Sequence, residues 1–430
     1  MKHLLTIFFV TIFSVAGAQT LLTLDDAVKI ALKNNYDILV SANDAAISKT
    51  NNTAGNAGML PNVSLKGSGS YEINDVSQTS SAGVETNYPS LSTKYVSAGA
   101  ELTWTLFDGG KMFVTKNKLN EIEALGEIQF KDQVLQTQFD VIAAYYDVVR
   151  QKQQLNSLNE IINYNTELVK ILQVSFNGGS ILKNDLLQAK IDKNVYTENA
   201  IVQELTISIA KKHLNQLLGL STDSLFDVVD SIPLNYSVDK NELFQKLNAA
   251  NTSILSRQKQ LEIAKLNLKE YNSYRLPVLN LNAGYYLSAT DNSAGAMQKN
   301  RLFGPQIGGN LTIPIYQAGQ VNRQISTAKI EVESAQFNLE NINLQVNTQL
   351  LNAIEAFEYQ ERLLEIEKEN NQYATEYLQI SFNRMKFGQT NSLEVHQAQE
   401  NYMQSCTRLI NFRYNLKIAE TKLKQLISKM

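Results

Sequence analysis

Proline occupies only six positions in this 430-residue chain, at 61, 89, 233, 277, 305 and 314. None falls between Ser90 and Ile232, and none after Pro314. A proline inside a helix costs about 3 kcal/mol, so the two gaps permit helices of unusual length. Apolar residues recur through the gaps at steps of three and four: Leu135, Phe139, Ile142, Tyr146 and Val149, then Leu155, Leu158, Ile162, Val169 and Leu172. Leu339, Ile342, Val346, Leu350, Ala353 and Phe357 repeat the spacing later in the chain. Such steps mark a seam packed on a neighbouring helix. A helix from near Lys111 to Phe176 is roughly 100 Å long at ~1.5 Å per residue. A compact domain does not hold such a rod, whereas a long hollow bundle does.

The chain is one design written twice. Leu60-Pro61 recurs as Leu276-Pro277, and Leu106-Phe107-Asp108-Gly109-Gly110 as Ile315-Tyr316-Gln317-Ala318-Gly319. Gly179 recurs as Gly388, and Asp185-Leu186-Leu187-Gln188-Ala189 as Glu394-Val395-His396-Gln397-Ala398. The offset is a constant 209 residues from Leu106 to Leu217 and 216 at the Leu-Pro pair. Each copy reads as helix, two strands, a very long helix, a glycine turn and a returning helix. The returns run from Ser180 to Leu218 and from Thr390 to Ile427, each after a glycine in the usual place for a left-handed cap. Residues 19–218 and 242–430 form the two repeats, and 219–241 is the linker between them.

The strands are legible from strict alternation. Val63, Leu65, Gly67, Gly69, Tyr71 and Ile73 share one face, and Asn62, Ser64, Lys66, Ser68, Ser70, Glu72 and Asn74 the other. The pattern recurs over 94–106, 278–288 and 303–315, so each strand presents one apolar and one polar face. These stretches of 11 to 14 residues are long enough to cross a bilayer at a tilt. The polar segments Gln78 to Ser92 and Ala289 to Arg301 suit exposed hairpin loops. Trp104, Tyr71, Tyr285 and Phe303 lie towards strand ends, as interface aromatics or as sheet packing. Four strands do not close a barrel, and an open edge in lipid leaves backbone groups unpaired, so several chains must share one. Two chains give eight strands with a filled interior; three give twelve, which leaves a lumen. The polar faces fit a wet lumen, and the expected assembly is a homotrimer.

Composition narrows the class further. Charged residues make up 19% and hydrophobic residues 43%, the balance of an ordered protein. A net charge of -3 leaves no basic footprint for nucleic acid. Met1-Lys2-His3, the apolar stretch Leu4 to Val15 and the small residues Ala16-Gly17-Ala18 read as an export signal over residues 1–18. After Gln19 no apolar run approaches spanning length. Cys406, the single cysteine, excludes an intrachain disulfide and reads as a small core residue. His213 and His396 are far apart on helices, and no paired-histidine metal site, phosphate loop or nucleophile elbow is present. No catalytic residue, cofactor or metal site is expected.

The motifs in this order resemble the TolC family of outer-membrane efflux proteins over nearly the whole chain. The resemblance rests on Leu60-Pro61, on Leu106-Phe107-Asp108-Gly109-Gly110, and on two helical tips. One tip is Phe176-Asn177-Gly178-Gly179 with Asp185-Leu186-Leu187-Gln188-Ala189; the other is Lys386-Phe387-Gly388 with Glu394-Val395-His396-Gln397-Ala398-Gln399. The start Leu24-Asp25-Asp26-Ala27-Val28 to Asn34-Asn35 also fits, with Tyr36 where a proline is common. The resemblance implies an α+β membrane protein, internally duplicated. Long antiparallel coiled-coil helices form a periplasmic tunnel, and four strands per chain enter a shared trimeric 12-stranded β-barrel. It implies an outer-membrane exit duct, passively conducting cargo delivered by an inner-membrane pump and a periplasmic adaptor. The linker and the chain ends form a belt around the tunnel's waist.

In the family the tunnel closes at its inner end, and acidic residues just past the tip turns ring the opening. Asp185 and Glu394 match that place, so a trimer brings six carboxylates to one level. Such groups repel one another and attract cations. The other reading of both is a favourable acidic residue at a helix N-terminus. The family's second acidic position falls on Gln397. Arg384, Met385 and Lys386 precede the second tip, where Arg384 is a candidate gate partner. Gly179, Ser180, Ile181, Gly388, Gln389 and Thr390 are the candidate adaptor contacts. A coiled-coil surface scaffold explains the rods but not the matched strands, and a passive porin explains the strands but not the rods.

Overall fold

The computed structural model describes residues 20–430. The export signal expected over residues 1–18 lies outside the described residues. The elements run β1 (Thr20–Leu22), α1 (Leu24–Asn34), α2 (Tyr36–Asn51), β2 (Asn62–Thr79), β3 (Glu85–Asp108), α3 (Lys111–Asn177), α4 (Lys183–Leu217) and β4 (Phe226–Val228). They continue with α5 (Lys240–Ala250), α6 (Thr252–Ser273), β5 (Val278–Asn292), β6 (Lys299–Thr312), α7 (Gln320–Lys386) and α8 (Ser392–Leu426). The two longest helices, α3 and α7, have 67 residues each, and α4 and α8 have 35 each. This equality is the sequence duplication expressed as structure. The chain forms two compact units, and each draws on both repeats. One unit holds the residues up to Val40, Asp132–Asn251 and Val346–Met430; the other holds Ser41–Lys131 and Thr252–Gln345.

In the second unit the four long strands make one sheet, ordered β2-β3-β5-β6, with every neighbouring pair antiparallel. The central pair joins the repeats, with Ala98 opposite Leu287. Alternation carries through the whole register. Val63, Leu102, Ala283 and Ile307 form one row of the apolar face, and Leu65, Ala100, Tyr285 and Pro305 the next. Leu65, Phe303 and Ile307 are among the most exposed apolar side chains of the isolated chain. The row Tyr71, Lys94, Asp291 and Lys299 ends this apolar band in charge, with the Lys94 ammonium 5.9 Å from the Tyr71 ring centroid. At the other end Trp104 Nε1 donates to the Met59 carbonyl at 2.9 Å. The ten residue steps from Lys94 to Trp104 span roughly 34 Å of strand, or about 24 Å of height at a 45° tilt, the thickness of a barrel's lipid-facing band.

The strands are longer than alternation indicated. Residues 78–79 and 85–88, within the stretch expected as loop, are paired in a ladder that runs from Val76 with Tyr88 to Thr79 with Glu85, so the turn is confined to 80–84. β5 and β6 likewise extend through Asp291 opposite Lys299. Polar composition does not distinguish a hairpin standing in water from a loop. Pro89 is accommodated at an irregularity in the ladder, where the Ser90 amide donates to Asp75 Oδ1 at 2.6 Å. β6 ends at Thr312, short of the expected 315, because Pro314 has no N–H to continue the ladder.

In the first unit, Val141, Tyr145, Tyr146, Val148 and Val149 of α3 pack with Ala27 and Ala31 of α1, Leu214 of α4, and Phe226 and Val228 of β4. β1 and β4 pair in parallel beside them. The Tyr145 hydroxyl donates to the Leu22 carbonyl at 2.9 Å and accepts from the Val229 amide at 3.2 Å, tying both strands to α3. Burial raises its pKa, so it stays a neutral donor. Two repeat-equivalent asparagines lock helix ends. Asn35 Nδ2 donates to the Leu217 carbonyl at 2.8 Å, and Asn251 Nδ2 to the Leu426 carbonyl at 2.9 Å. Both carbonyls are among those a helix C-terminus leaves unpaired. Further along, Glu367 of α7 is buried against α8, where it accepts from Arg408 Nε at 3.0 Å and from Ser405 Oγ at 2.7 Å. Burial works to raise the pKa of this carboxyl, but the hydrogen bonds from Arg408 and Ser405 outweigh it and hold the net value below normal.

Two outcomes follow. Asn35→Ala leaves a half-buried carbonyl and Asn251→Ala a buried one without its donor, at a cost of about 1–3 kcal/mol, and each lowers the melting temperature of the detergent-solubilised protein. Glu367 carries a depressed folded pKa, so its stabilisation is present above the unfolded value near ~4.3 and is lost as pH falls through the folded value. Thermal melts between about pH 6 and pH 3 should show Glu367→Gln less stable than wild type at the upper end, with the difference closing in acid.

Candidate gate at the helical tips

The two tips are built alike in backbone and differently in side chains. α3 stops at Gly178-Gly179, and the Ser180 amide returns to the Ser175 carbonyl at 2.9 Å. α7 stops at Phe387-Gly388, and the Gln389 amide returns to the Arg384 carbonyl at 2.9 Å. Gly179 and Gly388 hold φ of 74° and 67°, the left-handed conformation that reverses the chain with no Cβ penalty. Beneath the tips Leu168, Leu172, Leu186, Ala189, Phe382, Met385 and Val395 form a buried cluster, with Ile181 packed against it. Met385 therefore serves packing. Lys386 lies with its ammonium 4.8 Å from the Phe382 ring centroid.

Glu394 is held from several sides. Its backbone amide donates to Asn391 Oδ1 at 3.0 Å, which caps α8. Its carboxylate accepts from Arg384 Nη1 at 2.6 Å, from Ser381 Oγ at 3.3 Å and from the Thr390 hydroxyl. Arg384 Nη2 also donates to the Gln389 carbonyl at 3.1 Å. Arg384 and Glu394 thus pair within one repeat, across the α7–α8 turn. Asp185 sits in the first turn of α4, which has no side-chain cap, and accepts from Ser392 Oγ of the other repeat at 2.8 Å. Gln397 donates to Asn401 Oδ1 on its own helix at 3.2 Å. Gly179, Ser180, Gly388 and Gln389 are exposed, while Ile181 and Thr390 are half-buried.

Behind Asp185 the structure adds contacts that motif reading missed. Asp192, almost fully buried on α4, accepts from Gln188 Nε2 at 2.8 Å and lies 3.1 Å from His396 Nδ1 on α8. Tyr196 donates to Glu400 Oε1 at 2.8 Å, and the Tyr402 hydroxyl donates to Glu160 of α3. Burial pushes the Tyr196 and Tyr402 hydroxyls upward, and the carboxylate each one meets adds to the shift. Asp185, Asp192 and Tyr196 on α4, with Ser392, His396 and Glu400 on α8, are three successive polar rungs between the repeats. Their signal in the sequence is helical spacing: 392, 396 and 400 are one turn apart. The repeat offset hid them, since the equivalents of Asp192 and Tyr196 are Asn401 and Ser405.

A double-mutant cycle on Arg384→Ala and Glu394→Gln should return a coupling of about 0.2–1 kcal/mol, because both side chains are partly solvated. Glu394→Gln alone should speed amide hydrogen exchange in the first turn of α8.

Residues 27–220 and 243–429 match the family model described as outer membrane efflux protein. The chain is 22% identical over 400 residues to the outer membrane efflux protein BepC of Brucella suis biovar 1 (strain 1330), covering 92% of this chain and 83% of that protein. It is 24% identical over 184 residues to the outer membrane protein TolC of Escherichia coli (strain K12), a span of 40% of this chain and 36% of TolC. Among solved structures, the Campylobacter jejuni CmeC outer membrane channel superimposes with a TM-score of 0.77 at 17% identity, over 94% of this chain and 85% of CmeC. The outer membrane protein VceC of Vibrio cholerae gives 0.76 at 15% identity, over 94% of this chain and 96% of VceC.

Proposed function

The chain belongs to the outer membrane efflux protein family, and on that premise we propose that three copies assemble one gated exit duct that works with a periplasmic adaptor and an inner-membrane pump. The family is one of channel proteins, placed in the outer membrane and reaching into the periplasm, and this chain is an outer-membrane exit duct. The observation that carries the trimer is the four-stranded sheet. Its outer strands β2 and β6 each have one edge with no partner strand among the described residues. Pairing β6 of one copy with β2 of the next satisfies both edges, and three copies give twelve strands around a lumen. A second observation agrees with this. Leu187, Ile191, Val195, Val202, Leu205 and Ile209 of α4 are 45–63% exposed and follow coiled-coil steps, an apolar seam that a second copy would cover.

At the tips, the Asp185–Ser392 contact and the Glu394 cluster support a closed resting state. Threefold symmetry would gather Asp185, Glu394, Gln397 and Arg384 at one level, where the six carboxylates would face cationic cargo and one another. The adaptor would seat on the turns around Gly179, Ser180 and Ile181 and around Gly388, Gln389 and Thr390, freeing the links between α4 and α8. Conduction itself needs no catalytic group, since the pump supplies the work.

Cross-linking or native mass measurement in detergent should give a trimer. Val202→Glu, which puts a charge in the seam, should shift the distribution towards monomer. In planar bilayers, Asp185→Ala with Glu394→Ala should raise the mean conductance several-fold over the nearly closed wild type. A trimer whose conductance ignores both changes would remove the gate from these residues. A monomer that never inserts into bilayers would remove the duct.

A further inference from the structure

On the polar face of the sheet five consecutive rows run from Asn62, Thr103, Asn282 and Gly308 to Ser70, Tyr95, Thr290 and Asn300. Only two residues in those rows carry charge, Lys66 and Glu101. They lie diagonally across β2 and β3 and form a salt bridge with each other. The row of Lys66 continues through Gly99 and Tyr286 to Gly304, and the row of Glu101 through Gly284 to Gln306. Tyr286 lies across two of these glycines. A Cβ on Gly99 would stand 2.6 Å from Tyr286 Cδ1, and one on Gly284 2.6 Å from Cε2. The ring therefore lies low on the sheet beside the ion pair, in space that any side chain at either glycine would take. The next row outward, Ser68, Ser97, Ser288 and Leu302, carries no charge, and Ser68 and Ser97 hydrogen-bond each other at 2.8 Å.

The geometry points to Lys66, Glu101 and Tyr286 as the girdle that sets the charge preference of the barrel's interior. This rests on the reading of the sheet as one third of a water-filled barrel. In that barrel each ion pair is repeated three times at one level, and each cation is cancelled by its own carboxylate. The lumen at that level is left without a preferred sign, so anionic and cationic cargo pass alike. The flat ring keeps the same level wide. Removal of one partner leaves three like charges around the lumen, within a Debye length of passing solute at low ionic strength.

Cysteine labelling from the outer side reads this without passing through the periplasmic gate. Ser68→Cys places a thiol one row from the pair on the same face, and buried Cys406 gives the background in the parent protein. The readout is the ratio of modification rates for an anionic and a cationic methanethiosulfonate reagent of similar size, on protein in liposomes at low salt. Glu101→Gln should raise that ratio several-fold and Lys66→Gln should lower it several-fold, since a unit charge one row away in water acts with opposite sign on the two reagents. Lys66→Gln with Glu101→Gln should restore the ratio, and it serves if either single variant folds poorly. A reactive Ser68→Cys whose ratio ignores all three changes overturns the girdle and leaves the duct standing. If Ser68→Cys is silent while Leu65→Cys on the opposite face reacts with the aqueous reagents, the duct reading itself fails.

Discussion

A backbone N–H or C=O left unpaired in hydrocarbon costs several kcal/mol, and the four-stranded sheet carries such groups along both outer edges. The rest of the architecture answers to that constraint. The apolar face with Leu65, Phe303 and Ile307 exposed makes sense only against lipid, and the band is bounded by Trp104 at one end and by Lys94, Asp291 and Lys299 at the other. A single chain supplies four strands and has no means to close them on themselves. In the proposed assembly, closure by copies of the same chain would satisfy the edges and open a lumen in one step.

The helices obey a different rule. Coiled-coil packing gives each rod a buried seam, and polar side chains then fix where the rods begin and end. Asn35 and Asn251 do the same task in the two repeats, each tying the last carbonyls of α4 or α8. Glu367 with Arg408 and Ser405 fixes α7 against α8 far from any helix end. These contacts each lie within one repeat. The contacts between repeats at the tips are of another kind: a serine hydroxyl on Asp185, an imidazole on Asp192 and a phenol on Glu400. Single hydrogen bonds of that sort contribute about 0.5–1.5 kcal/mol each, and up to about 3 when one partner is charged. The buried cluster beneath the tips adds apolar packing to these rungs, with Leu172 and Leu186 of one repeat in the same cluster as Phe382 and Val395 of the other.

The two repeats have diverged in the side chains of their tips. The backbone of the tip turns is the same, with Gly179 and Gly388 in one conformation. The second tip, however, binds its carboxylate with Arg384 and Thr390 inside the repeat, while the first leaves Asp185 to be met by Ser392 from the other repeat. Asp185 and Glu394 are equivalent in sequence and unequal in surroundings. A ring made from them would alternate restrained and freer carboxylates.

Most of the fold was legible in the residues alone, because periodicity is a local property. Proline-free gaps and steps of three and four gave α3, α4, α7 and α8 nearly to their ends, and strict alternation gave the bilayer-spanning stretches of β2, β3, β5 and β6. Strand ends escaped, since Ser, Thr and Asn suit a hairpin in water as well as a loop, and only pairing such as Val76 with Tyr88 separates the two. The motifs at the tips placed Asp185, Glu394 and Arg384 close together but not which partner each one takes. That was decided by tertiary structure, for a physical reason: a hydrogen bond depends on the distance and angle between groups 204 or 207 positions apart, as for Asp192 with His396 and Asp185 with Ser392. The same holds for Lys66, Glu101 and Tyr286, which strand alternation puts on one face and only the register brings into one cluster.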